Sequence, residues 1–240
     1  MLKSISFACA AVAALSTSSF AATIATWNFE SPNPADATNF AVYPNSIAPA
    51  SGTGNAGGTH ASANADWTTP TGNGSTDSFS VNEWAVGDYF QFAASTVGFT
   101  PIFVSFSETS SNTGPRDFLL QYSSTGIAGP FTTHAAYVVP ANAAPNSWSS
   151  ATPVPAAFFS FDLTGVAALS NNTDVVFRLT DNSTTSANGA TVATAGTSRV
   201  DNFTVSDEAI AAPVPEPSVA LSLLFGGLAI IAHGRRRRLV

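Results

Sequence analysis

The chain has almost no sulfur and almost no lysine. Its 240 residues include one cysteine, Cys9, one methionine, Met1, and one lysine, Lys3. All three fall near the N-terminus, so beyond them no disulfide, thiolate metal site, cysteine nucleophile or Schiff-base lysine can be built. Charge is scarce too: 10% of residues are charged, and the formal net charge is −7. Between residues 22 and 213 only Arg116, Arg178 and Arg199 stand against fourteen carboxylates. Such a balance repels phosphate backbones and excludes a nucleic-acid partner. Helical periodicity is nearly absent, the exception being a single turn's worth at Thr164 to Leu169. There is no HExxH pair, GxSxG elbow, Walker loop or CxxC. The surface must be built from Ser, Thr, Asn and Gly, which suits water or polysaccharide better than a charged polymer.

What is present first concerns the two ends. Lys3 begins a positive n-region, Ile5 to Leu15 form an apolar h-region, and Ser16 to Ala21 a small, polar c-region. That order predicts a secretory signal helix over 1–21, cut by a signal peptidase between Ala21 and Ala22, with Ser19 and Ala21 as the small residues of the site. Cys9 lies inside the h-region, too early for a lipoprotein anchor. At the other end, Val214-Pro215-Glu216-Pro217 leads into an apolar run, Val219 to Ala232, and then Arg235, Arg236, Arg237 and Arg238. The prolines keep the entry extended. From Ser218 to Arg235 a helix would be about 27 Å long, against a hydrocarbon core of about 30 Å. It can span if the arginine stems snorkel, and the arginine block acts as the cytoplasmic stop.

In the order of motif, apolar run and basic end, residues 214–240 resemble the PEP-CTERM sorting signal of bacterial exported proteins. That resemblance implies a membrane-embedded exosortase-type enzyme as processing partner. It also implies export through the inner membrane, a membrane-anchored stage, and delivery to the cell surface or extracellular space.

Between the ends, strand-like runs recur between Gly, Pro, Asn and Ser clusters. They are Thr23 to Phe29, Asp88 to Ala93, Ile102 to Glu108, Asp117 to Tyr122, Thr132 to Val139, Ala157 to Leu163, Asp174 to Thr180 and Arg199 to Val205. Several alternate: Ile102, Val104 and Phe106 share a face opposite Ser105 and Ser107, and Val175, Phe177 and Leu179 oppose Arg178. Such alternation puts one face on a core and one in water. The expectation is an all-β, two-sheet antiparallel sandwich, jelly-roll-like, over 22–207. Residues 31–73 read as a long irregular loop, 208–213 as a linker, and 214–240 as the sorting and anchor segment with one transmembrane helix.

Chemistry is thinly marked. His60 and His134 read as loop or surface residues. Glu83, Asp88, Glu108 and Asp117 could supply the two carboxylates of a glycosidase, or be ordinary solvated strand-edge acids. Among the tryptophans, Trp27 and Trp84 read as core. Trp67 and Trp148 stand in polar contexts and are the candidates for stacking on sugar rings.

The segment Ser110 to Tyr122, with Phe177-Arg178-Leu179 and Arg199 to Phe203, is similar to the extracellular β-sandwich domains that often precede such tails. Phe29-Glu30 resembles the start of jelly-roll modules of the MAM and carbohydrate-binding type. In those folds the first and last strands lie side by side and can share a structural calcium. The resemblance therefore nominates Glu30 and Asp201 as calcium ligands, unless Asp201 instead pairs with Arg178 or Arg199. The reading is an exported cell-surface or extracellular-matrix protein, non-enzymatic and associated with exopolysaccharide. Its alternative is a secreted polysaccharide-active hydrolase of jelly-roll fold.

Overall fold

The structure is a computed structural model and describes residues 22–213. The signal segment 1–21, the motif Val214–Pro217, the apolar run and Arg235 to Arg238 lie outside the described residues. Among the described residues no helix is long and apolar enough to cross a membrane.

Thirteen strands and two single 3-10 turns make up the described chain. In order they are β1 (Thr23–Trp27), β2 (Val42–Ile47), β3 (Ser51–Gly52), β4 (Gly54–Thr59), β5 (Trp67–Thr68), β6 (Phe79–Val81) and β7 (Tyr89–Ala94). Then follow β8 (Phe103–Ser110), β9 (Asp117–Ser123), β10 (Thr132–Val138), β11 (Phe158–Asp162), β12 (Val175–Asp181) and β13 (Ser198–Ser206). One sheet runs β11-β8-β13-β1-β3, with β6 also beside β13 and β5 beside β6; the other runs β10-β9-β12-β7-β4-β2. From β7 onward most connections pass from one sheet to the other, the alternation of a jelly-roll-like sandwich.

The core forms where the inward faces meet. Phe203 of β13 stacks on Phe92 of β7, ring centroids 3.7 Å apart and planes nearly parallel, which ties one sheet to the other. Trp27 packs edge-on against both rings and donates its Nε1–H to the Ile47 carbonyl. Phe90, Phe118, Leu120, Phe177 and Leu179 complete the inward face of the second sheet, all fully buried. Burial of so many aromatic and branched side chains is the main favourable term.

All eight expected strands form. The expectation of a long irregular loop over 31–73 is corrected: β2, β3, β4 and β5 lie there, and β4 is an interior strand paired with β2 and β7. Its sequence, GNAGGT, shows no apolar alternation because glycines replace side chains where neighbours approach closely. A Cβ at Gly58 would collide with the Trp67 ring, and one at Gly57 with the Tyr43 and Pro44 carbonyls. A second correction concerns Ser105 and Ser107, expected in water. Both are buried, because Asn73 donates from Nδ2 to Ser107 Oγ at 3.0 Å and the chain covers this outer face. Residues 208–213, read as a linker, are part of that cover: Ile210, Ala211 and Pro213 line a small cleft with Ser105, Ser107 and Phe158.

Candidate functional site

The first and last strands are neighbours, with Trp27 opposite Phe203 in an antiparallel register. This pairing brings Glu30, just past β1, and Asp201, within β13, to one end of the sheet. Between Asp201 and Thr204 the ladder to β8 slips by a bulge, which re-aims the carboxylate. Phe29, before Glu30, has φ 58°, and Asn202, after Asp201, has φ 53°. Such left-handed conformations at non-glycine residues persist only where surroundings impose them.

The chain over 72–77 closes the site. Asp201 Oδ2 accepts the Asn73 N–H at 2.9 Å and the Ser75 hydroxyl at 2.6 Å, and Oδ1 accepts the Asn202 N–H at 2.7 Å. Glu30 Oε1 accepts the Asp77 N–H at 2.7 Å. Burial pushes the Asp201 carboxyl up to about 6; its three hydrogen bonds oppose this, and the Glu30 charge adds a further upward push. Neither Arg178 nor Arg199 forms an ion pair with it. Arg199 Nη1 donates to the Thr71 carbonyl at 2.8 Å instead.

Gly72 backs directly onto this set of oxygens. A Cβ placed on it would lie against Ser75 Oγ, the Asp77 carbonyl oxygen and, at 2.5 Å, Asp201 Oδ2. Gly72 thus has no room for a side chain, and the fit to a cation rests on the chemistry of the donors. The donors are all hard oxygens, as calcium requires. Among the described residues no group of three or more His, Cys, Asp or Glu could hold a metal. Calcium here would therefore rest on two carboxylates supplemented by hydroxyl and carbonyl oxygens.

A second group of acids sits between the sheets at one end of the core. Glu108 has no exposed surface, and it accepts the Tyr137 hydroxyl at 2.7 Å and the Ser198 hydroxyl at 3.1 Å. Burial drives its carboxyl up to about 8; both hydroxyls pull it down, and Asp181 pushes it further up. Asp181 is itself driven up to about 6, chiefly by burial and also by the charges of Asp88 and Asp117. Asp88, expected as a solvated strand-edge acid, is 4% exposed and caps the Ala61 and Ala85 N–H groups at 2.7 Å each. Glu108 is likewise not a strand-edge acid. Asp117 does fit that description in part: it is half-buried and forms an ion pair with Arg116 at 2.8 Å. Glu83 accepts the Ser62 hydroxyl.

His60, expected in a loop or at the surface, is buried between Trp67 and Trp84, ring centroids 5.0 and 4.4 Å away. Burial holds its pKa down to about 4, against an upward pull from the Glu83 and Asn82 carbonyls. Its Nδ1 lies 3.5 Å from Asp88 Oδ2, yet neither ring nitrogen makes a hydrogen bond of good geometry. His134 is half-buried on β10, its ring edge-on to Phe161.

The sugar-stacking candidates are corrected. Trp67 has no exposed surface: it stacks on Phe79 and donates Nε1–H to the Phe40 carbonyl at 2.8 Å. Trp148 is 7% exposed, with the Arg199 guanidinium 5.0 Å above its ring. Neither presents a face to a ligand. Their polar sequence neighbours gave no sign of the distant strands that cover them.

No protein-family model matches the chain, and no curated protein matches it significantly. Among solved structures it is similar to the K2 cleaved adhesin domain of Lys-gingipain, with 14% identity, 59% of this chain and 80% of that one covered, and a TM-score of 0.37. It is also similar to the K3 cleaved adhesin domain from Porphyromonas gingivalis w83, at 12% identity, 77% and 99% coverage, and a TM-score of 0.42. The enzymatically active domain of bacteriophage CBA120 tailspike protein 4 matches at 14% identity over 58% of this chain and 17% of that one, with a TM-score of 0.29. Likenesses this loose say nothing about what this chain does.

Proposed function

We propose that the chain is an exported β-sandwich protein of the cell surface or extracellular matrix, sorted by the 214–240 tail and without enzymatic activity. Signal peptidase and an exosortase-type membrane enzyme are its processing partners, and Glu30 and Asp201 hold a structural calcium together with oxygens of Ser75 and Asp77. The observation that carries the non-enzymatic reading is how the carboxylates are used. Glu108 and Asp181 are sealed in the core, Asp88 and Asp201 cap backbone N–H groups, and a cleft of about 500 Å³ at the start of β12 carries one acid, Asp174. Glycoside hydrolysis needs two acids facing each other across a cleft. The calcium would join the first strand to the last and stabilise the closed sandwich by binding only the folded state.

Intact mass of the protein recovered from the producing cells, with fractionation, tests the reading. The expected species begins at Ala22 and is found at the surface or in the medium. A chain retaining residues 1–21 in the cytoplasm would overturn it.

A further inference from the structure

The outer face of the second sheet contains a trough that none of the preceding roles uses. Its floor is three successive rows of outward residues across β4, β7 and β12. Those that line it are Asn55–Ala93–Val176, Gln91–Arg178 and Thr59–Tyr89. The floor along β7 from Tyr89 to Ala93 is about 13 Å long, at roughly 3.3 Å per residue. One wall is β2, with Val42 and Asn45; the other is the arch joining β9 to β10, whose Ile127 is 55% exposed. Two cavities, of about 500 and 270 Å³, meet at Ile127 and together follow the strands.

The lining has the chemistry of a polyol site. Hydroxyls and amides of Thr59, Asn45, Asn55, Gln91 and Thr125 are set among apolar surface, as the C–H faces and hydroxyls of a sugar ring require. Arg178 is held rigid, its guanidinium 3.8 Å from the Tyr89 ring centroid and 3.6 Å from that of Phe131. Its Nε donates to Gln91 Oε1 at 2.9 Å and Nη2 to the Ile127 carbonyl at 3.3 Å. Among the described residues it has no carboxylate partner; the arginine that does is Arg116, paired with Asp117. A pre-oriented fork flanked by flat rings and amides can donate to ligand hydroxyls at little entropic cost.

Other occupants fit worse. An extended peptide adds to a sheet by main-chain hydrogen bonds, but β4, β7 and β12 are each paired on both sides. Polyanions meet fourteen carboxylates against three arginines between residues 22 and 213, with Asp174 in the trough's lining. We propose that this trough binds an extended, neutral glycan chain lying along β7. The assignment rests on the reading of the chain as an exported surface protein but fails separately from it, since binding is measured on purified protein and export on cells.

The test is affinity gel electrophoresis of the full chain in mild detergent, with hydroxyethyl cellulose, galactomannan, xylan and dextran as neutral probes and alginate as the acidic one. At least one neutral probe should retard the protein, and alginate should not. Ala93→Ile, which raises the floor without removing a hydrogen bond, should weaken retardation at least tenfold. Arg178→Leu should do the same. Because Arg178→Leu also removes packing, Ala93→Ile with an unchanged melting temperature is the deciding variant. Retardation by none of the neutral probes, by alginate alone, or undiminished in Ala93→Ile would overturn the proposal.

Discussion

Replacing Glu108 with glutamine should flatten the alkaline side of the stability profile. Glu108 is buried between the sheets, and burial raises its carboxyl from an ordinary 4.5 to about 8. The folded state therefore keeps a proton that the unfolded state has already released. Stability is fully present below pH 4.5 and is lost as pH rises through 8. Other groups titrate lower. Asp181 and Asp201 are raised to about 6 and add their losses mostly below pH 6.5. His60, lowered to about 4, acts in the opposite direction and has only about 0.4 kcal/mol left to give above 6.5. The interval from pH 6.5 to 8.5 thus isolates Glu108. At about 1.4 kcal/mol per pH unit, the wild type should lose about 2 kcal/mol across it. Glutamine is neutral and nearly isosteric, and its amide can still meet the Tyr137 and Ser198 hydroxyls, so the variant should stay level. Urea unfolding at the two pH values reads the difference, with the fluorescence of the four buried tryptophans as signal. A loss of about 2 kcal/mol in Glu108→Gln as well would refute the reasoning.

The acid side should respond to His60. Its depressed pKa makes stability present above 6.5 and lost as pH falls toward 4, so His60→Phe should reduce that loss by up to about 3 kcal/mol; an unchanged acid limb would count against it. Phe203→Ala should cost about 3–5 kcal/mol, because it opens the stack on Phe92 that joins the sheets, and a cost under about 1 kcal/mol in urea unfolding would contradict this packing. Added calcium should raise the melting temperature of the wild type. It should not raise that of Glu30→Gln, which keeps the bond from the Asp77 N–H but loses one of the two carboxylates, and an equal rise in both would remove the calcium assignment.

Much of the sandwich is legible in the chain because period-two alternation is a local property. Val104 and Phe106, Phe118 and Leu120, Phe177 and Leu179 each declare a face without reference to anything distant, and β8, β9 and β12 form where they do. The proposed export and sorting signals are likewise local: charge, apolar run and small residues at the N-terminus, and motif, apolar run and arginine block at the C-terminus. The stretch from β2 to β6 is not legible. Gly57 and Gly58 carry no side chain to show a period, and the reason for them, close approach of the Trp67 ring and of β2, exists only after folding.

The site chemistry divides the same way. A resemblance could nominate Glu30 and Asp201, but only the antiparallel pairing of β1 with β13, with the chain at 72–77 hydrogen-bonded to both, brings them to one end of the sheet. Trp67 and Trp148, polar in their sequence surroundings, are covered by residues far along the chain. His60 and Glu108 owe their shifted pKa values to burial, which no neighbouring residue encodes. The trough along β7 arises because β4 and β12 flank that strand and the β9–β10 arch walls it. Local alternation determined which residues face inward; long-range strand pairing decided which of the rest would meet.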